Sequence, residues 1–248
     1  MDAVRACAVV PTLDNPRTVR DVVEGIARRA LPVVLVDDGS GLEGRSACQE
    51  LEAAGLATLR RIEPNRGKGA AVALGFRVAR ELGFTHGFQI DADGQHDLEC
   101  IPAFLEAARA RPTALVLGYP LYDETVPDTR RLARRFTSFW VALEVGSRTA
   151  IRDALIGFRV YPLAATERLA RLGERMDFDV EVAVRLVRAG TPTVNLPVGV
   201  RYLPPEAGGV SHFRPLLDNL RFGRMHSRLC MEGCRAWLRR VTSGRREP

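Results

Sequence analysis

Two kinds of pattern alternate along the first 120 residues. Short, nearly unbroken apolar runs are followed by longer stretches in which apolar residues recur every three or four positions. The first pattern suits a strand buried on both faces, the second a helix with one buried stripe. The reading gives strands at 4–10 (VRACAVV), 31–38 (LPVVLVDD), 56–64 (LATLRRIEP), 85–93 (THGFQIDAD) and 113–120 (TALVLGYP). Helices fall between them at 15–30, 43–55, 67–83 and 97–112. Asn15 is the expected N-cap of the first, with Pro16 at its first helical position; Gly55 and Gly83 close the second and third. Strands alternating with helices predict an α/β fold, a mostly parallel, Rossmann-like sheet with helices on both faces.

After residue 120 the rhythm breaks. Residues 121–131 (LYDETVPDTRR) form a polar stretch suited to a lid, followed by a long helix over Thr129–Val145. Then come GFRVYPL (157–163), a helix near 177–190, a strand at 191–198 and a basic amphipathic helix from about Pro215. Neither an internal repeat nor a low-complexity linker divides the chain. The expectation is one domain over 1–210 with a C-terminal extension over 211–248.

Composition changes this picture in two places. The 248 residues suffice for a substantial core, and 27% charged side chains is ordinary for a globular domain. No apolar run reaches the roughly 18 residues of a membrane span, and the N-terminus lacks a secretory pattern, so a cytoplasmic chain is expected. Cys7, Cys48, Cys100, Cys230 and Cys234 are scattered and odd in number, which fits reduced thiols. The net charge of +6 is the first departure: residues 211–248 hold nine arginines against three acids, and the rest of the chain balances. A basic tail mixed with Leu, Phe, Met and Trp237 points to an anionic leaflet at the inner face of the cytoplasmic membrane. Nucleic acid is disfavoured, since lysine and aromatic platforms are scarce. The second departure is Lys68, the one lysine among 36 basic side chains, set between Gly67 and Gly69.

Chemistry concentrates where strands end. In open parallel sheets, ligands bind outside the carboxyl ends of the strands. The second strand ends in Asp37 and Asp38, the fourth in Asp91-Ala92-Asp93 followed by Gly94, Gln95 and His96. Two carboxylates about 5 Å apart repel by roughly 3 kcal/mol at an effective dielectric near 20. A hard divalent cation, Mg²⁺ or Mn²⁺, turns that repulsion into ligation and bridges substrate phosphates. Residues 39–44 (GSGLEG) match the dinucleotide fingerprint, but Asp37 and Asp38 immediately before them would repel a diphosphate, and the match sits on the second strand rather than the first.

Taken together, VVPTLDNP, VVLVDDGS, NRGKGAA, IDADGQHD, GFRVYP and FDVEVAVRLVRAG resemble the family-2 glycosyltransferases of the GT-A fold. The nearest branch resembles the dolichyl- and polyprenyl-phosphate sugar synthases, and the tail resembles transferases of aryl-polyene pathways. The resemblance implies a nucleotide site at Pro11, Thr12, Leu13, Asp14, Asp37, Asp38, Arg66, Gly67, Lys68, Asp91 and Ala92. It implies a divalent metal on Asp91 and Asp93, with Gln95 a further contact and His96 behind it. Arg159, Ser211, His212 and Arg214 would face the diphosphate or acceptor. Ile156 stands where the family normally has serine.

The implied reaction is inverting transfer from a nucleotide-diphosphate sugar, UDP- or GDP-linked, to a lipid-linked or hydroxylated hydrophobic acceptor. Asp93 acts there through the metal. The acid at Asp179, near where the phosphate-acceptor synthases of the family typically carry Gln, favours a hydroxyl acceptor with Asp179 as its base; the alternative, a polyprenyl phosphate, is already an anion and needs none. The rivals are a sugar-1-phosphate nucleotidyltransferase, whose Gly-rich, arginine-containing loop PTLDNPRT does not supply, and a non-catalytic nucleotide-sugar binding module.

Overall fold

The computed structural model describes residues 3–122, 128–169, 172–201 and 215–242. Its centre is a seven-stranded sheet built from β1 (Ala6–Thr12), β2 (Val33–Asp37), β3 (Thr58–Arg61), β4 (His86–Ile90), β5 (Leu115–Tyr122), β6 (Phe158–Pro162) and β7 (Thr193–Val200), in the order β3-β2-β1-β4-β6-β5-β7. The β1–β2, β2–β3, β1–β4 and β5–β7 pairs are parallel. Only β6 runs against its neighbours β4 and β5, so the sheet is mostly parallel, as the alternating pattern predicts.

The central strands β1 and β2 are largely apolar because both their faces are covered. Along β1, Cys7 and Val9 enter one core while Ala8 and Val10 enter the other; β2 divides in the same way, with Val34 and Val36 opposite Val33 and Leu35. One layer holds α1 (Thr18–Ala27), α2 (Leu42–Ala53) and α4 (Ile101–Ala110). The other holds α3 (Lys68–Glu81), α5 (Asp128–Val145), the short α6 (Leu163–Thr166), α7 (Phe178–Arg188) and α8 (Pro215–Thr242). Met225 and Leu229 of α8 are fully buried in this second core, each stabilising it by about 2 kcal/mol. The inner face of the C-terminal helix is therefore part of the packed domain.

Two local expectations need correction. Asn15 does not cap α1 with its side chain: a turn at Pro16 and Arg17 comes first, and Thr18 opens the helix. The Asn15 side-chain amide instead donates to the Leu13 carbonyl, and the Asn15 backbone carbonyl accepts from Val19 N–H. The helix expected over 97–112 begins as a 3₁₀ turn at Leu98–Cys100, capped by Asp97. Gly55 and Gly83 do close their helices, both with positive φ. Residues 123–127, within the expected lid, lie outside the described residues.

Candidate active site

The carboxyl ends of β1, β2 and β4 open into a cleft of about 840 Å³. From β1 and the turn after it come Pro11, Thr12, Leu13 and Asp14. Asp14 is held at φ 49° by accepting from Gly41 N–H while its own N–H donates to Ser40. The turn after β4 contributes Asp91, Ala92, Asp93 and Gln95, and the start of α3 contributes Gly67 and Lys68. Sequence reasoning missed Asn65, Arg175, Asp218 and Arg221, which also line the cleft.

The two acids closing β2 diverge. Asp37 is buried, accepts from Ser40 N–H and is ion-paired with Arg61, so it does not face the cleft. Asp38 lines the cleft, yet its carboxylate accepts from the N–H groups of Arg66 and Gly67 and from the Asn65 amide, at 2.7–2.9 Å. Burial raises its pKa, and these bonds oppose the rise. Asp38 thus shapes the loop that delivers Lys68. Arg66 points away to an exposed pair with Glu174.

Lys68 lies at the centre of a buried polar cluster. Its ammonium donates to Asp91 Oδ2 and Asp179 Oδ2, both at 2.8 Å. Burial works against its charge, but the two carboxylates outweigh that and hold its pKa above the ordinary lysine value. The flanking glycines leave room for close backbone approach. They let α3 approach the turn before α7: a Cβ on Gly67 would stand 2.6 Å from the Glu174 carbonyl, and one on Gly69 2.5 Å from Phe178 Cβ. An arginine fork, wider and planar, matches the space between two carboxylates less well than a compact ammonium.

Asp179, the expected base, is almost wholly buried. One oxygen accepts from Lys68 and the other from the Gln89 amide at 2.8 Å. Burial alone would raise its pKa; Lys68 and Arg159 overcome that and lower it. A carboxylate so held is a weak proton acceptor, and this geometry is that of an anchor for Lys68. Arg159, expected at the diphosphate, is fully buried on β6 and donates to the Asp179 carbonyl at 2.5 Å. It lies in the core, outside the cleft lining, where its charge helps to balance the buried acids. Tyr161 completes the network by donating to Gln89, and burial pushes its phenol up to about 12.

The Asp91–Asp93 turn is fixed from two sides. Gly94 takes φ 71°, and Asp93 accepts from Gln95 N–H at 3.1 Å. Arg201 N–H donates to the Gln95 carbonyl, and His96 bridges to Val200, tying the turn to the end of β7. The His96 ring rests against Phe158. Burial, together with the like charges of Asp179 and Asp93, raises the Asp91 pKa despite Lys68. Lys68 Nζ is 2.8 Å from Asp91 Oδ1 as well, but that buried oxygen accepts no hydrogen bond. Among the described residues no group of three or more His, Cys, Asp or Glu side chains is placed to hold a metal. Ser211, His212 and Arg214 lie outside the described residues.

A mostly parallel sheet carrying an acidic strand end at the mouth of a large cleft defines a GT-A-type α/β fold. Crystal structures of glucosyl-3-phosphoglycerate synthase from Mycobacterium tuberculosis share it. The complex with Mn²⁺, UDP and phosphoglyceric acid aligns with a TM-score of 0.68 at 16% identity, over 93% of this chain and 78% of that one. The complex with Mn²⁺ and UDP-glucose aligns at 0.65 and 16%, over 90% and 76%. The model of Glycosyl transferase family 2 matches residues 7–171, and the chain belongs to that family; it is a glycosyltransferase. Among curated relatives, the undecaprenyl-phosphate mannosyltransferase of Micrococcus luteus is 27% identical over 207 residues, 79% of this chain and 83% of that protein. An uncharacterised protein of Methanocaldococcus jannaschii is 25% identical over 202 residues, 79% and 87%.

Proposed function

We propose that this glycosyltransferase moves a sugar from a nucleotide-diphosphate donor to a lipid-linked phosphate, with inversion and with a divalent cation on Asp91 and Asp93. The observation that carries the reading is the Asp91 carboxylate. It sits at the end of β4, at the cleft, close to Asp93 and Asp179, whose like charges raise its pKa, with the Lys68 ammonium the one cation against its oxygens among the described contacts. A hard divalent cation fits that donor set, the other positions being left to donor oxygens and water. When bound, such an ion offsets the negative charge that builds on the leaving diphosphate.

The chain's own residues do the rest. Pro11 to Asp14 and Asp38 flank the space for the nucleoside, with Asn65 beside them. Lys68 holds Asp91 in place and balances its charge. Arg175 and Arg221 bring cations to the cleft lining, suited to an anionic donor and acceptor. The acceptor oxygen attacks the anomeric carbon from the face opposite the diphosphate; that bond forms as the bond to the diphosphate breaks.

The choice of phosphate over hydroxyl rests on Asp179. With both oxygens engaged and its pKa lowered, it is unsuited to take a proton, and a phosphate acceptor already presents an anionic oxygen at neutral pH. The Micrococcus luteus relative, named as acting on undecaprenyl phosphate, supports the same choice.

The test is a thermal-shift panel of UDP-, GDP- and dTDP-sugars with Mn²⁺, followed by transfer assays to polyprenyl phosphate and to the matching alcohol. One nucleotide should stabilise the protein, and Asp91→Ala should abolish the shift. Product should form on the phosphate only. Silence across the panel would favour a binding module for another ligand, and product on the alcohol would return the hydroxyl reading.

A further inference from the structure

The outward faces of α5 and α8 are apolar where solvent-facing helices are normally polar. On α5, Phe136, Phe139 and Leu143 recur at helical spacing on the exposed side, Phe136 being 64% exposed. On α8, Leu216, Leu220, Met231 and Leu238 fall within one narrow stripe opposite the buried Met225 and Leu229; Leu216 is 89% exposed. From Leu216 to Leu238 this face spans about 33 Å at 1.5 Å per residue, with Leu216 and Leu220 at one end, Met231 and Leu238 at the other, and the exposed Gly223 and Ser227 between them. The helices meet through Trp140, which contacts Phe136 and Phe139 edge-on and stacks on His226 of α8 at 6.1 Å. The two apolar faces therefore flank one contact. An apolar area of this extent marks an interaction site.

Charge decides the partner. Arg224, Arg235 and Arg239 border the α8 stripe and Arg135 borders that of α5; all four are exposed. Among the described side chains of α8 the only acids are Asp218, which is buried, and Glu232, which pairs with Arg185. A second copy of the chain would set arginine against arginine. An anionic bilayer meets both features: acyl chains for the leucines and phenylalanines, phosphates for the arginines. No described helix is long and apolar enough to cross a membrane, so the contact is peripheral, with the stripe some 5–10 Å into the headgroup boundary.

We infer that the α5–α8 face seats the protein on an anionic lipid surface. The first turns of α8 connect this face to the chemistry: Leu216 and Leu220 point outward, while Asp218 and Arg221 line the cleft. A lipid-linked substrate leaving the bilayer would then arrive beside the Asp91 turn. That last step rests on the proposed lipid acceptor; the docking does not.

Co-sedimentation of the full chain with vesicles tests it, using phosphatidylcholine alone and phosphatidylcholine mixed with phosphatidylglycerol, without donor or acceptor. The wild type should prefer the anionic vesicles by at least about fivefold. Phe139→Ser with Leu220→Ser should weaken binding about tenfold or more, and Arg235→Glu with Arg239→Glu should erase the lipid preference. Leu143→Ser with Met231→Ser, which leaves the Trp140 contacts alone, should reproduce the loss without lowering Tm. Failure of the wild type to sediment with either vesicle overturns the inference, as does unchanged binding in both serine pairs. A dimer in sedimentation velocity that the serine pairs dissolve, without vesicle binding, would assign the face to a second copy. Donor-induced stabilisation, lost in Asp91→Ala, is measured separately, so the two readings fail independently.

Discussion

The backbone of Gly157 lies directly against the carboxylate of Asp91: a Cβ on that glycine would sit 2.2 Å from both oxygens. Gly157 immediately precedes β6, whose antiparallel pairing with β4 brings the two together. No side chain fits there without moving the acid that defines the site. Gly157→Ala should cost about 1–3 kcal/mol and reduce the proposed metal-dependent donor binding more than tenfold, read by thermal shift with and without Mn²⁺. Full activity would mean that Asp91 can be displaced without consequence.

Lys68 predicts a stability effect of a different kind. Lys68→Met keeps most of the volume but leaves Asp91 and Asp179 facing each other without their shared cation. Removing one partner of a buried ion pair costs about 3–5 kcal/mol, measurable by urea unfolding. Adding Asp179→Asn should recover part of that loss. A change below about 0.5 kcal/mol would show that water already screens the pair.

His86 sets a pH dependence. Its imidazole is buried, with Nε2 against the Pro112 carbonyl and Nδ1 against the Thr85 hydroxyl, and burial lowers its pKa. The unfolded chain then takes up a proton near pH 6.5 before the folded one does. The stability contribution is present above that pH and is lost as pH falls towards the folded value. The difference in Tm between neutral and mildly acidic buffer should shrink in His86→Gln. An unchanged difference would assign the acid sensitivity to the carboxylates.

Thiol chemistry should separate the five cysteines. Burial pushes the Cys7 and Cys48 thiols up to about 12, while Cys234 is exposed. A disulfide-exchange reagent should label Cys234 first in the native protein and reach Cys7 and Cys48 only on unfolding. Early labelling of Cys7 would mean that β1 opens locally.

The mostly parallel character of the sheet and the positions of the strand-end acids were legible in the sequence, because doubly buried strands are written as apolar runs and their ends as abrupt acids; the strand order and the antiparallel β6 were not. What each acid touches was not. Gln89 lies opposite Arg159 only through the β4–β6 register, and Lys68 meets Asp179 across 111 positions of chain. Pattern carries no information about such pairings. One signal was available: Gln89 and Arg159 are polar residues inside runs that read as wholly buried, and a buried polar side chain demands a partner. Asn15 was misread because a turn at Pro16 and Arg17 intervenes, so that the helix opens at Thr18 and the cap position falls on Arg17.

The lone lysine of this chain has an analytical use. A reagent that acylates lysine amines in the folded protein finds one such side chain, 15% exposed and clasped by two acids. Its rate of acylation thus becomes a gauge of one place in the molecule. Anything that draws Asp91 away from the ammonium would register as a change in that rate, with no second lysine to blur the reading.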